Sequence, residues 1–521
     1  MGTKIIQMDQ ILSRDPRNGL ILKEIPKTSG GDLAQIFERA ARAQKVWARV
    51  PVQKRAKKMK HLREILVTRT DVLAELIHRE NGKPIFEALL AEIIPSLDLL
   101  TYYAKIAPHE LRDRKIKIQN PILRYRSGLL TYWPLGTVAV ISPWNYPFFL
   151  AFGDVATAVL CGNAVVFKPS EHTSQVGQKI QELFDEAGFP ADLIQTVYGE
   201  GDLGAAIIDQ KPAKIFFTGS VKTGKAIMKQ ASQDLIPVSL ELGGKDAMLV
   251  LSDANLDYAT SAALWGGFTN SGQTCAGTER LIVHESIVAA FTELLKTKLV
   301  SLSPETDLGV TTMEKQKDIY EAHLNDARAQ GAEFFAGGAL NADRTRMIPT
   351  LVGGAGIENT SIYNEETFGP SIAITSFKTV QEGIEKVNRS AYGLLASVIT
   401  SNISLGSDIA RELHVGSVMV NEVLFSAGMP ETPWGGVKDS GFGRRHSEVG
   451  LHEFVNLKHI NRPAAGFLTF KSPWWFPYTS YQKQFFRALI QMYKGGLLEK
   501  MGNLPHLLWT LVQFLKNEPR L

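Results

Sequence analysis

The chain has 521 residues, too many for one hydrophobic core, so two or more domains are expected. Hydrophobic residues at 44% and charged residues at 21% exclude a disordered or fibrous chain, and 57 basic against 53 acidic residues give no general nucleic-acid signal. Only two cysteines, Cys161 and Cys275, exclude a disulfide scaffold and point to a reducing compartment, the cytoplasm. Residues 1–10 show no charged stretch followed by an apolar run, so no secretory signal is expected. Ile6 spoils the myristoylation pattern that Gly2 would begin.

In chain order, residues 32–80 are charged and helix-periodic and predict two or three surface helices. Between residues 127 and 167 the only charged side chain is Asp154, and a hydropathy window could read a membrane span there. Pro134, Pro143 and Pro147, with Gly136, Gly153 and Gly162, break the stretch into short pieces. It is predicted instead as a buried βαβ unit, with a strand over 137–141, a helix over 149–160 and a strand over 164–167. Strands over 193–197 and 214–217, with helices over 173–187 and 223–231, continue the alternation and predict a doubly wound parallel sheet. The pattern restarts after Gly243, with strands over 247–251 and 372–377 and helices over 258–268 and 286–298. Two α/β units in succession predict two lobes facing a cleft.

The tail, residues 463–521, holds seven basic and two acidic residues, a net +5 that leaves −1 for the rest. It also holds twelve aromatic residues, among them Phe467, Phe470, Trp474, Trp475, Tyr493 and Trp509. Helices are predicted over 481–493 and 507–515, the second of nine residues and too short to cross a bilayer. Basic charge beside Trp and Phe on a helix reads as peripheral membrane binding, on the inner surface for a cytoplasmic protein. Packing over another subunit or over the substrate entrance is the alternative.

Three residues carry chemistry. Cys275 lies in Asn270-Ser-Gly-Gln-Thr-Cys-Ala-Gly277, where small and polar neighbours predict an accessible, electropositive setting suited to a thiolate nucleophile. Cys161, at the end of an apolar helix, reads as an inert core thiol. Glu241, in Leu240-Glu-Leu-Gly-Gly-Lys245, is either paired with Lys245 or a general base with a raised pKa. Asn145, in Pro143-Trp-Asn-Tyr-Pro147 beyond an apolar strand, offers uncharged donors for an oxyanion, or serves only as a turn residue. Gly199-Glu-Gly-Asp-Leu-Gly204 matches the G-x-G-x-x-G fingerprint, a weak signal when alone.

Together these segments resemble the aldehyde dehydrogenase superfamily over residues 21–462. The matching motifs are Pro143-Trp-Asn-Tyr-Pro147, Lys168-Pro-Ser-Glu171, Phe217-Thr-Gly-Ser220 with Gly224, Leu240-Glu-Leu-Gly-Gly-Lys245, Gly272-Gln-Thr-Cys275, Glu365-Glu-Thr-Phe-Gly-Pro370 and Pro433-Trp-Gly-Gly436, in that order. The resemblance implies an α/β fold with a Rossmann-type cofactor domain (1–120 and 136–242), an α/β catalytic domain (243–452) and small β oligomerisation strands (121–135 and 453–462). Homodimers or homotetramers are expected from it.

It further implies that Cys275 attacks an aldehyde and that Asn145 and the Cys275 backbone N–H hold the oxyanion. Glu241 activates the water that hydrolyses the resulting thioester. Trp144, Lys168, Ser170, Glu171, Gly199, Gly219, Ser220, Gly224, Glu366 and Phe368 are the implied cofactor residues. Lys168 and Glu171 meet the adenine ribose, the Gly219–Ser220 turn the pyrophosphate, and Gly199 the adenosine side. A carboxylate at Glu171 favours NAD, with NADP possible. No metal ligands are implied. Tyr146, Phe149, Leu150, Trp265, Phe268, Thr274, Leu424 and Phe425 are the expected acyl-pocket positions, mostly apolar, which points to an aliphatic or aromatic aldehyde. Oxidation of a semialdehyde such as succinate semialdehyde is the rival substrate reading. A CoA-acylating reaction, a thiol hydrolase and a non-catalytic binding protein fit the motif set less well, since Glu241 and the cofactor segments would go unused.

Overall fold

The computed structural model describes residues 10–120, 123–304, 306–466, 472 and 474–516. Residues 121 and 122 of the expected oligomerisation strands lie outside them, as do Phe467, Phe470 and Lys471 of the tail and the N-terminal residues 1–9. The chain divides into two compact units. One comprises the residues up to Asp113 with Thr131–Lys458, the other Arg114–Leu130 with the residues from His459 onward.

The larger unit contains two large sheets, besides an antiparallel pair of strands, Gln10–Arg14 and Ile21–Pro26. In the first, the strands run in the order Gly441–Phe442, Val238–Glu241, Ile215–Thr218, Thr137–Ile141, Ala164–Lys168, Ile194–Thr196. All pair in parallel except the Gly441–Phe442 edge, which is antiparallel. The register aligns Ile141 with Lys168 and Thr218 with Glu241, so these residues share the C-terminal edge where ligands of such sheets bind. The central strands are continuous Val, Ala, Ile and Phe runs buried on both faces. Helix Phe149–Leu160 packs beneath them, with the Phe148 and Phe152 rings stacked 4.8 Å apart. Cys161 follows this helix, fully buried, with its thiol pushed up to about 12 by burial. Three helices, Leu33–Trp47, Val52–Thr68 and Thr70–Asn81, form the charged N-terminal segment.

The second sheet runs in the order Glu333–Ala336, Thr350–Gly353, Ser371–Phe377, Thr278–His284, Asp246–Val250, Leu395–Ile399, Ser417–Val420, parallel except at its first edge. Most of these strands escaped the sequence reading.

A three-stranded sheet, in the order Val455–Pro463, Arg126–Pro134, Arg114–Ile116, is found where a two-stranded extension is expected, and its stretches 114–116, 126–130 and 459–463 belong to the smaller unit. Its helices are Ser480–Gln491 and Leu497–Lys516. The second spans 20 residues rather than nine, since the helix starts at Leu497 and carries Pro505 inside it. Among the described residues no helix is long and apolar enough to cross a membrane.

Candidate active site

The strand Thr137–Ile141 delivers the segment Pro143-Trp-Asn-Tyr-Pro147 to the sheet edge. Asn145 is buried there, and its Nδ2 donates to the Gln273 carbonyl at 3.0 Å, two residues before Cys275. The Asn145 carbonyl accepts from Lys83 Nζ at 2.8 Å and from Asn270 Nδ2 at 2.9 Å. The Tyr146 hydroxyl bonds Thr274 Oγ1 at 2.8 Å, and Lys83 Nζ lies 3.9 Å from the Tyr146 ring centre. The cysteine loop turns through left-handed Asn270, Ser271 and Gly272, with φ of 51°, 55° and 71°. A Cβ on Gly272 would fall 2.3 Å from the Gly369 carbonyl, so glycine is required there. Glu87 holds the turn, accepting from the Asn270 N–H at 3.0 Å and from Thr269 Oγ1 at 2.9 Å.

This scaffold was invisible to motif reading. Lys83 forms a buried ion pair with Glu92 at 2.7 Å, and Glu92 also accepts from the Phe148 N–H at 2.7 Å. One buried network thus ties the Asn145 loop to the N-terminal segment, and through Asn270 to the cysteine loop.

Cys275 is half-buried and lines a cavity of about 400 Å³ that Glu241 also lines. Burial pushes its thiol well above the ordinary range, and the carboxyls of Glu366, Asp246 and Glu241 add to the shift against the Ala276 N–H. The setting is therefore not electropositive, as the loop composition suggested. The Leu-Gly-Gly and Glu-Glu-Thr-Phe segments converge on the loop and bring carboxyls with them. A Cβ on Gly244 would lie 2.3 Å from the Cys275 carbonyl, and the Gly244 N–H donates to Glu366 at 3.1 Å.

Glu241 closes its strand, is 5% exposed, and has no hydrogen-bond partner on either carboxyl oxygen. Burial raises its pKa to about 8, with Arg445 opposing. Lys245 is not its partner. Lys245 pairs with buried Glu279, which accepts from the Thr367 N–H at 3.0 Å and the Phe368 N–H at 3.1 Å.

On the outer side of the sheet edge, Lys168 is buried with Nζ 3.7 Å from Glu171, and Ser170 caps the following turn through the His172 N–H. Ser220 caps helix Val221–Ala231 by accepting from the Thr223 N–H at 3.3 Å. The Gly219 N–H is taken by the Glu241 carbonyl at 3.0 Å. With the Thr223 and Gly224 N–H groups taken by Ser220, the donors left at this end are the Val221 and Lys222 N–H groups. A Cβ on Gly224 would lie 2.6 Å from Leu242, so the missing side chain seats this helix against the sheet. Gly199 folds against Leu203 of the following helix, Gly201–Asp209, and Gly204 faces Lys168, which places the fingerprint segment beside the Lys168–Glu171 pair. Trp144 and Phe368 meet edge to face at 5.5 Å.

Of the expected acyl-pocket residues, Tyr146, Phe149, Leu150, Trp265, Thr274, Leu424 and Phe425 line the cavity. Phe268 does not. It is 1% exposed and packs into the core of the second lobe, because its side of helix Leu256–Phe268 faces the sheet. Leu90, Ile94, Pro95, Leu99 and Met429, none of them expected, complete apolar walls. His446 lines the cavity in left-handed backbone (φ 59°), kept neutral with a pKa of about 3 by burial and Arg445. Arg280 lies outside the lining and donates to the Lys245 carbonyl at 3.0 Å. Arg445 lies in it, held in a buried two-point pair with Asp154.

A doubly wound sheet beside a second α/β lobe, with a thiol and an unpaired carboxyl in one cavity at the sheet edge, defines an enzyme of the α/β dehydrogenase class. The sequence profile described as "Aldehyde dehydrogenase family" matches residues 6–460, and the chain belongs to that family. It is 40% identical over 496 residues to a 4,4'-diapolycopene aldehyde oxidase from Methylomonas sp., covering 94% of this chain and 92% of that one. Among solved structures it resembles betaine aldehyde dehydrogenase from Staphylococcus aureus in complex with NAD+. That match has 28% identity and a TM-score of 0.83, covering 90% of this chain and 93% of that one. An NADP-dependent enzyme from E. coli matches with 28% identity and a TM-score of 0.83, over 87% and 95% of the two chains.

Proposed function

We propose that this aldehyde dehydrogenase oxidises a long apolar aldehyde to the carboxylic acid with NAD(P), and that the polyene aldehyde named for the Methylomonas relative represents its substrate class. The observation that carries the reading is the single cavity running from Cys275 and Glu241 along aliphatic and aromatic walls. A carboxylated semialdehyde fits this lining poorly. Glu241, Asp98 and Glu431 face it, and its one arginine among the described residues, Arg445, is already neutralised by Asp154.

The residues at the sheet edge suit a dinucleotide. Glu171 beside Lys168 offers an acceptor for ribose hydroxyls and disfavours a 2′-phosphate, so NAD is the preferred form. The first turn of helix Val221–Ala231 offers N–H groups to the pyrophosphate. Glu366, a half-buried carboxyl bonded to the Gly244 N–H, offers an acceptor for the second ribose, with Trp144 and Phe368 near it in the fold. Bound there, the dinucleotide supplies a hydride acceptor.

The chain's own residues do the rest. The Cys275 sulfur adds to the aldehyde carbon, the C=O π bond passing its electrons to the oxygen, as the thiol proton passes to solvent water in the cavity. The oxyanion is held by the backbone N–H of Cys275 and by Asn145, whose Nδ2 keeps a second hydrogen beyond the one given to Gln273. Once the acyl group is left on sulfur as a thioester, Glu241 takes a proton from the water that hydrolyses it. Unpaired and with a pKa of about 8, it is poised near neutrality for that exchange. The first lobe holds the dinucleotide and the second carries the thiol. The strands of the smaller unit join copies into a homodimer or homotetramer, and the two free thiols fit the cytoplasm.

Turnover of aldehydes from butanal to hexadecanal, and of a polyene dialdehyde in detergent, with each cofactor, tests the reading. Specificity rising with chain length is expected, with no reduced cofactor formed by Cys275→Ala. A preference for succinate semialdehyde refutes the substrate class, and full activity in Cys275→Ala refutes the mechanism.

A further inference from the structure

We propose that the two C-terminal helices form a docking surface for an anionic lipid bilayer, with helix Leu497–Lys516 lying flat in the headgroup region. The packing of the pair shows which side is left over. Phe485 and Ala488 of the first helix and Thr510 and Phe514 of the second are buried, and the Phe485 and Phe514 rings lie 6.1 Å apart. A capping box, Thr479 with Gln482, fixes the start of the first helix.

The second helix has another apolar side. Met501, Leu504, Leu508, Val512 and Leu515 follow one another at spacings of three, four, four and three, which keeps them on one stripe of an α-helix. Their exposures run from 43% to 62%, and Trp509, beside the stripe, is 54% exposed. Trp474, Trp475, Phe476 and Tyr478, just before the first helix, are exposed as well. A contiguous exposed apolar surface of this kind marks an interaction site.

Charge selects the occupant. Among the described tail residues Lys483, Arg487, Lys494, Lys500 and Lys516 stand against Glu499 alone, a net +4. All five cations are exposed, and at helical spacing Lys500 and Lys516 fall on opposite flanks of the apolar stripe. A second copy would bring the same +4 against itself, whereas anionic headgroups neutralise it. Lysine stems reach outward past an apolar contact, and Trp and Tyr favour the headgroup level. The helix is not apolar enough to span, so the geometry is interfacial. The inference draws on the proposed function in one respect: a long apolar aldehyde is itself dissolved in a bilayer.

The test is co-sedimentation of the full-length protein with vesicles, alongside hexanal oxidation and light scattering without vesicles. Binding is expected to vesicles containing phosphatidylglycerol at low salt, and to be about tenfold or more weaker with phosphatidylcholine alone or at high salt. The exposed double variant Leu508→Glu/Val512→Glu is expected to stay in the supernatant while oxidising hexanal at the wild-type rate. Lys500→Glu/Lys516→Glu is expected to lose binding with the stripe intact. Wild-type protein that remains soluble overturns the proposal, as does a Leu508→Glu/Val512→Glu variant that still sediments. A fall in oligomer mass for that variant without vesicles also overturns it, because a second copy then covers the stripe. The substrate reading fails separately, by a preference for short or carboxylated aldehydes in a protein that still sediments.

Discussion

Glu241→Gln tests the central reading most sharply, because stability and catalysis should move in opposite directions. The substitution keeps the shape and removes the ionisable group. In the folded protein Glu241 titrates at about 8 against 4.5 for a free glutamate, with burial as the main cause. The gap of about 3.5 pH units corresponds to about 5 kcal/mol at about 1.36 kcal/mol each. The folded state binds the extra proton, so the penalty is absent below the unfolded pKa, grows as pH rises through the gap, and is complete above the folded pKa. Near pH 7 it amounts to roughly 3 kcal/mol, and near pH 9 to about 5 kcal/mol. Urea melts of wild type and Glu241→Gln should therefore coincide near pH 4.5 and diverge upward, with the variant more stable. Turnover should fall by about 10²–10⁴, the range for a positioned base. Rapid mixing should still show one equivalent of reduced cofactor per site before the slow phase, because the thiol remains. A steady-state rate matching wild type, or a stability difference that does not change with pH, refutes the assignment.

Asn145→Ala should lower kcat by about 10²–10³ with little change in cofactor binding, measured by steady-state kinetics and fluorescence titration. Glu171→Ala should shift the ratio of NADP to NAD specificity upward by about tenfold, since removing the carboxylate removes its repulsion of a 2′-phosphate. Lys83→Met should destabilise by about 3–5 kcal/mol, because Glu92 is left buried without its ion-pair partner. It should also lower kcat, since the Asn145 carbonyl loses a donor; Glu92→Gln combined with Lys83→Met should restore much of the stability but not the rate.

The parts of this molecule legible in advance are those written locally. Strand Thr137–Ile141 and helix Phe149–Leu160 were readable because apolar runs of the right length stand between prolines and glycines. Buried charge was not readable. Lys83 lies 62 residues from the carbonyl it supports, and nothing near it in sequence distinguishes it from a surface lysine. The environment of Cys275 was misjudged for the same reason. Small neighbours imply access, but the carboxyls that set its charge come from residues 241, 246 and 366. Phe268 failed because an aromatic residue near the end of a helix does not say which side meets the sheet. The helix Leu497–Lys516 was halved because Pro505 hides its first turns.

The short strand Gly441–Phe442 has a consequence for biosynthesis. It is the edge partner of Val238–Glu241, and Gly441 has no alternative there, since a Cβ would fall 2.0 Å from the Leu240 carbonyl. About two hundred residues must be translated after the strand bearing Glu241 before its neighbour leaves the ribosome. Until then the nascent first sheet carries a bare β-edge, the kind of surface on which other chains add strands. A fragment ending near residue 242 should therefore self-associate, which light scattering of that fragment against the full chain would measure.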